Sequence, residues 1–310
     1  MTDTVARPIG TDRTSPGTIE ALRPRIHQIA EGLVDALAGR GEFEVVADLA
    51  YPLPARVIAE LLGVPQVDRD LLPRWSRDIS AVFQQPELDR LLASQRSVVE
   101  MSEYLRGLAA DRRREPREDL ISAMVAAQEQ GTIASEEEIA ANCVLLLFAG
   151  HETTALLVSR GMLVLLDHPD QLAWLRAHPE RLPGAIEEML RFAGPVMFTI
   201  RIPVEPVELG GVPVGPNEPV YLMVGAGNRD PERYPDPDRF DVTRRMVANL
   251  AFGHGSFYCL GAALARMEAQ VCFETLFRRV GDLALAPDGP SWQPVPPLNR
   301  ALTRLPVTLG

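Results

Sequence analysis

Cysteine is scarce in this chain, and the shortage limits both the structural class and the compartment. Only Cys143, Cys259 and Cys272 occur among 310 residues, which is too few and too odd a number for a disulfide framework. No pair has the Cys-x-x-Cys spacing of a zinc site. We therefore expect a protein of the reducing cytoplasm.

Positive charge is also in short supply. The chain has 42 acidic and 31 basic side chains, a formal charge of −11 and a pI near 5.0. Such a charge repels nucleic acid and anionic lipid at long range, so we expect neither as a partner. The run Arg112–Arg114 is expected to form a solvated helix face.

Long apolar runs and a secretory leader are absent. The most apolar stretch, residues 139–150, is far shorter than the roughly twenty residues of a membrane span. The N-terminus, MTDTVARPIG, has neither the basic nor the apolar part of a signal peptide. The sequence therefore predicts a chain that is neither exported nor inserted in a membrane.

Apolar residues make up 46% of the chain, enough for a sizeable core. Polar residues 1–15 predict a flexible tail, and residues 16–310 predict one domain whose first part is almost wholly helical. Ser135 and Glu138 form a capping-box pattern and no proline follows until Pro169. This predicts one long helix, residues 136 to 167, that crosses the middle of the protein.

The pattern changes after a second helix predicted over residues 170–192. Short β-like runs separated by glycine and proline turns predict a small sheet from residues 196–202, 207–214 and 219–224. Residues 229–255 form a long irregular stretch, which is more often functional than idle. A helix over 261–280 and a final hairpin containing strand 305–309 follow. The predicted fold class is mostly α with a small β-sheet portion.

Three glycines surround one thiol in residues 252–261, FGHGSFYCLG. Gly253, Gly255 and Gly261 permit a tight loop that approaches a bulky ligand, and the following helix points its N-terminal amides at Cys259. We expect such a site to lower the pKa of the thiol and stabilise a thiolate. A buried structural cysteine beside a helix start is the alternative.

Two familiar catalytic motifs are excluded by single positions. A Gly-x-Ser-x-Gly elbow fails because Tyr258 stands two residues after Ser256. A His-Glu-x-x-His zinc motif fails because Ala155 stands four residues after His151.

Polar residues interrupt the long helix at residues 149–154, AGHETT. Thr hydroxyls can bond the carbonyl one turn back, so this segment predicts a polar notch containing Glu152 and Thr153. A kink without chemistry is the alternative. Glu188 and Arg191 are three apart on the next helix and can pair, although such pairs are usually exposed and weak.

Together these motifs resemble the bacterial cytochrome P450 family, the haem-thiolate monooxygenases. The resemblance rests on AGHETT at 149–154, Glu188-x-x-Arg191, the segment PDRF at 237–240 and the loop at 252–261, and it runs from about Arg13 to the C-terminus.

The resemblance implies haem b, with Cys259 as the axial thiolate, Phe252 shielding its sulfur and Arg201 bonding a propionate. It implies that Glu152 and Thr153 relay protons on the distal side. The other residues expected to contact the cofactor are Gly253, Gly255, Gly261, Ala149 and Gly150.

The resemblance also implies a structural cluster of Glu188, Arg191 and Arg239 that holds residues 229–255. The substrate, a small apolar molecule of bacterial natural-product metabolism, is expected to contact Val196, Met197, Phe198 and Leu298, which belong to a pocket formed by residues 196–200, 145–149 and 297–299.

Some family features have no counterpart in this sequence. The N-terminal sheet, pocket roof and propionate-binding helix usual in the family are not recognised, and Phe257 and Asn249 stand where a propionate-binding His or Arg and a common histidine are usual. We expect weakened haem binding. An uncovered apolar layer also predicts self-association or a partner protein.

Three functions are compatible with these motifs. The first is a monooxygenase that takes electrons from a separate ferredoxin and reductase, since no flavin or iron–sulfur motif is present. The second is a P450-like activator of a partner enzyme that holds little or no haem. The third is redox-neutral chemistry with Glu152 as a general acid or base. A truncated gene product is a further, trivial possibility.

Overall fold

The computed structural model is mostly helical with small antiparallel sheets, which confirms the predicted fold class. It describes residues 16–84, 87–245, 248–293 and 301–310. The predicted tail, residues 1–15, and the predicted pocket residue Leu298 lie outside these ranges.

Helices form most of the described chain up to Ala193. They are α1 (Pro16–Ala21), α2 (Arg23–Asp35), α3 (Pro52–Leu62), α4 (Leu71–Gln84), α5 (Leu88–Arg114), α6 (Leu120–Glu129), α7 (Glu136–Asp167), α8 (Pro169–Ala177) and α9 (Leu182–Ala193). Strand β1 (Glu42–Glu44) and a π-helical turn, Val45–Ala50, connect α2 to α3.

Strands and irregular segments dominate the remainder. The strands are β2 (Thr199–Arg201), β3 (Val207–Leu209), β4 (Val212–Val214), β5 (Val220–Leu222), β6 (Leu283–Leu285), β7 (Ser291–Trp292), β8 (Leu302–Arg304) and β9 (Pro306–Leu309). The helices are the short α10 (Val224–Gly227) and the long α11 (Ala262–Arg279). Apart from one 3-10 turn at Gly255–Phe257, the described part of 229–255 is irregular, as the sequence predicts.

Helix α7 is the central element of the fold and has the predicted bounds. Ser135 Oγ accepts a hydrogen bond from the Glu138 amide at 3.2 Å, which begins the helix. The first half of α7 packs in one apolar cluster with α3, α4, α5 and α6, and the second half packs in another with α2, α9 and α11. By length and composition α7 could cross a membrane, but its packing in both clusters is that of a core helix.

Two sequence-based boundaries are wrong. The helix predicted over 170–192 is divided into α8 and α9, because His178 precedes a proline and adopts φ −131° and ψ 64°, outside the helical region. The final hairpin is formed by β7 and β8, which pair antiparallel, and does not contain the strand predicted over 305–309. Strand β9 lies between β1 and β6, whereas β8 pairs with β7.

The arginine run at 112–114 is only partly solvated. Arg112 is buried and pairs with Asp119, and its guanidinium also donates to the Gly63 carbonyl at 2.7 Å. A buried guanidinium requires such partners because its desolvation is costly. The expected solvated face therefore excludes Arg112, which joins α5 to the end of α3.

Candidate functional site

The segment 252–261, which we call the cysteine loop, is closed, and its shape depends on glycine. The Cys259 amide donates to the Phe252 carbonyl at 2.9 Å, which closes the loop. Gly253 and Gly255 have φ values of +76° and +68°, a region in which side chains with a Cβ are strained. The loop thus presents Cys259 three residues before α11 begins.

The environment of the Cys259 thiol contains opposing influences on its pKa. Desolvation raises the pKa of Cys259 above its usual value, and this effect outweighs the backbone amides of Gly261 and Ala262 and the charge of Arg266, which lower it. The predicted lowering of the pKa is therefore wrong for the free thiol. The two amides nevertheless point at the sulfur, as the sequence indicates.

A charged network that sequence reasoning missed supports this loop from α9 and α11. The Arg266 guanidinium donates to both carboxylate oxygens of Glu187, at 2.5 and 3.2 Å, and to the Tyr258 hydroxyl at 2.9 Å. The same guanidinium lies over the Phe252 ring, 4.4 Å from its centroid. Glu187 is adjacent to the predicted Glu188, which is the only signal the sequence offered.

The Glu188–Arg191 pair is buried, and its third member is not the predicted residue. Arg191 donates to both oxygens of Glu188 at 2.7 Å. Arg244 reaches Glu188 at 3.2 Å, whereas Arg239 is exposed and contributes its backbone carbonyl, which accepts from Arg191 and Arg244. Arg191 also donates to the Pro237 carbonyl at 2.8 Å. The cluster holds the irregular stretch through its backbone, which explains why sequence spacing selected the wrong arginine.

The predicted pocket strand lies beside the cysteine loop. Met197 and Ile200 are exposed, Phe198 is half-buried with its ring 5.5 Å from that of Tyr221, and Val196 is half-buried. Arg201 is the last residue of β2, which follows Phe198 directly, and its guanidinium carbon is 4.9 Å from the centroid of the Phe257 ring. The strand and the loop therefore meet at this contact.

Several exposed apolar side chains lie on the loop or on the segments next to it. The loop and its neighbours contribute Leu250, Phe257, Tyr258, Leu260, Met197, Ile200 and Met223. A thiol with two amide donors, in a glycine loop beside this apolar surface, fits a flat apolar group ligated through sulfur. The donor set of the described residues is thus compatible with haem.

Helix α7 stays continuous through the predicted notch. The Thr153 hydroxyl donates to the Ala149 carbonyl at 2.9 Å, and the Thr154 hydroxyl lies 3.5 Å from the Gly150 carbonyl. Both contacts are of the expected type. Ala149 is exposed, and Glu152 is half-buried and lines an open cavity of about 1260 Å³.

His151 occupies the opposite side of this segment and has a structural environment. Its Nδ1 lies 2.9 Å from Ser76 Oγ on α4, and the Tyr51 ring meets it edge-on with centroids 4.1 Å apart. Burial lowers the pKa of His151 to about 4, so it is neutral near pH 7. This contact anchors the middle of α7 to α4.

Comparisons with known proteins identify the family of this chain. The cytochrome P450 family profile matches residues 88–281. The chain is 45% identical to cytochrome P450 monooxygenase PikC of Streptomyces venezuelae over 93% of this chain and 69% of the relative. It is 39% identical to 6-deoxyerythronolide B hydroxylase of Saccharopolyspora erythraea over 94% of this chain and 72% of the relative.

A solved structure is similar over the whole chain. P450BioI, in complex with an acyl carrier protein ligated to hexadec-9Z-enoic acid, superimposes with a TM-score of 0.94 at 37% identity, covering all of this chain and 81% of that one. The mostly helical fold, the cysteine in a glycine loop and the buried Glu–Arg cluster agree with the haem-thiolate class to which these relatives belong. The chain belongs to the cytochrome P450 family and is a monooxygenase enzyme of that class.

Proposed function

We propose that this chain oxidises a small apolar substrate of bacterial natural-product metabolism, using dioxygen and haem b ligated by Cys259. The observation that carries the proposal is the Cys259 loop, in which two backbone amides approach the sulfur beside an exposed apolar surface. The similarity to a named hydroxylase and a named monooxygenase favours this enzyme over a haem-poor activator or redox-neutral chemistry.

The residues of the loop would hold the cofactor from one face. Cys259 would supply the thiolate, and the Gly261 and Ala262 amides would distribute its negative charge. Phe252, held by Arg266, would shield the sulfur, while Gly253 and Gly255 keep the loop in its tight conformation. Arg201 would bind a propionate. When bound, haem supplies the redox chemistry that activates dioxygen.

Residues of α7 would contact the opposite face of the cofactor. Ala149 has a small and exposed side chain, which would let a flat group approach the helix. A Cβ at Gly150 would lie 3.4 Å from Ile58 of α3, so Gly150 would contribute through its backbone. Glu152 lines a wide cavity and can exchange protons with solvent there. The Thr153 hydroxyl donates to the Ala149 carbonyl, which leaves its oxygen able to accept a hydrogen bond from a neighbouring donor. This pair would deliver protons during oxygen activation.

Substrate and electrons would reach the site from outside the chain. An apolar substrate would contact Val196, Met197, Phe198 and Leu298, of which the first three lie on the strand side of the cysteine loop. A separate ferredoxin and reductase of the cytoplasm would supply electrons, because the sequence has no flavin or iron–sulfur motif.

The ultraviolet-visible spectrum of protein reconstituted with haemin tests this function. We expect the reduced protein under carbon monoxide to give the Soret band typical of a thiolate ligand, since Cys259 is the accessible thiol. Cys259→Ser should lose this band, because a hydroxyl is a poor substitute for the thiolate. The matched control Cys143→Ala, which alters a buried thiol in another part of the chain, should keep it. A reconstituted wild-type protein without the band would refute the proposal.

A further inference from the structure

Arg201 and Phe257 form a stacked pair beside the cysteine loop. The Arg201 guanidinium carbon lies 4.9 Å from the centroid of the Phe257 ring, within the range of a cation–π interaction. Phe257 stands two residues before Cys259 and is 76% exposed, so few other contacts hold its ring. The pair joins strand β2 to the loop that carries the thiol.

Other cations near the loop are already committed. Residues 248–261 contain no Lys or Arg. Arg266 is bound to the Glu187 carboxylate and to the Tyr258 hydroxyl. Among the residues that the structure describes beside the loop, Arg201 is therefore the guanidinium that remains available for an anion.

Stacking leaves the hydrogen-bonding edge of Arg201 usable. A guanidinium interacts with an aromatic ring through its face, whereas its five N–H donors lie in its plane. Only Nη1 is hydrogen-bonded within the described residues, to Thr199 Oγ1 at 3.2 Å and to the Ile200 carbonyl at 2.9 Å. The ring can thus fix the plane of the guanidinium while its other N–H groups bind a carboxylate.

We infer that Phe257 is a positioning residue, which holds Arg201 over the cysteine loop for the carboxylate edge of the bound porphyrin. This inference rests on the proposed function. Phe257 carries no charge and cannot itself bind the carboxylate. Its ring instead aligns the Arg201 guanidinium, which binds it.

The rate of haem transfer to excess apomyoglobin tests the inference. Phe257→Leu keeps the apolar bulk but removes the aromatic face. An exposed cation–π contact of about 0.5 to 1 kcal/mol corresponds to a loss rate about two- to fivefold faster in this variant. Phe257→Trp, which keeps an aromatic face, should lose haem no faster than the wild type. Because Phe257 is exposed, these substitutions should not alter the fold.

The Arg201→Leu variant tests whether Phe257 acts by positioning Arg201 or only by packing against the haem. In Arg201→Leu protein, Phe257→Leu should have no further effect on haem loss, because the cation is already gone. An equal acceleration in both backgrounds, or none in either, would overturn the inference while leaving thiolate ligation intact. Wild-type protein that binds no haem would instead overturn both this inference and the proposed function.

A measurement on the protein without haem gives an independent answer. The ring current of Phe257 should shift the NMR signals of the Arg201 side-chain protons upfield, and Phe257→Leu should abolish that shift. Unshifted Arg201 signals in the wild type would show that the stack does not form, and would refute the inference whatever the haem-loss rates.

Discussion

At the scale of single residues, Glu268 on α11 is the most unusual ionisable group outside the site. Its side chain is fully buried, and one carboxylate oxygen has no hydrogen-bond partner among the described residues. Desolvation raises the pKa of Glu268 well above 4.5. Burial therefore favours the protonated form of this carboxyl in the folded protein.

This protonation predicts a specific pH dependence of stability. As pH rises above about 4.5 the unfolded chain releases the Glu268 proton, whereas the folded chain releases it only at a higher pH, so the free energy of unfolding falls over that interval. Glu268→Gln, which imitates the protonated acid, should remove this slope of up to about 1.4 kcal/mol per pH unit. Urea unfolding of both proteins between about pH 5 and pH 8 measures the difference. The same pH dependence of the free energy of unfolding in both proteins would contradict a raised pKa of Glu268.

At the scale of elements, the irregular stretch 229–245 is held by charged groups rather than by an apolar core alone. Arg244 bonds Glu188 and the carbonyls of Pro235, Asp236 and Arg239. Sequence motifs indicated an arginine from this stretch, but several arginines lie in it. Only the path of the backbone determines which side chain turns inward.

Arg244 and Arg239 therefore make a matched pair for mutation. Arg244→Gln should destabilise the protein by about 1.5 to 3 kcal/mol, since it removes a charged hydrogen bond to a buried carboxylate. Arg239→Gln should change stability by less than about 0.5 kcal/mol, because its exposed side chain can be replaced while its carbonyl stays in place. The midpoints of denaturant unfolding measure both effects, provided that the dependence of the unfolding free energy on denaturant concentration stays the same. A larger loss of stability in Arg239→Gln than in Arg244→Gln would instead support Arg239 as the third member of the cluster.

At the scale of the whole molecule, the described surface carries several groups of exposed apolar side chains. One group, apart from the cysteine loop, lies on the first turns of α5, where Leu88 is 70% exposed and Leu92 is 44% exposed. These two residues are four apart and share one helix face. Monomeric proteins rarely keep large contiguous patches of this kind.

Self-association at micromolar concentration is the expected result. Light scattering after size exclusion should give a mass above 34.0 kDa that falls on dilution. Leu88→Glu with Leu92→Glu should shift the protein toward the monomer if α5 forms the contact, whereas added haemin should do so if the surface around Cys259 forms it. A monomer at every concentration would contradict the prediction.

The sequence determined those features that depend on local chemistry. The capping pair Ser135 and Glu138 and the absence of proline define α7, and the glycines around Cys259 define the loop, because these preferences act over a few residues. The order of the motifs was sufficient to indicate the family, which the comparisons confirm.

Tertiary structure decided the features that depend on distant partners. The choice of Arg244 over Arg239, the position of β9 between β1 and β6, and the burial of Arg112 each require residues far apart in the chain to meet. The direction in which the pKa of Cys259 shifts likewise depends on desolvation by the folded surroundings. Local residue spacing does not encode this desolvation. Local preferences thus set the elements, whereas burial and charge pairing between elements set their partners.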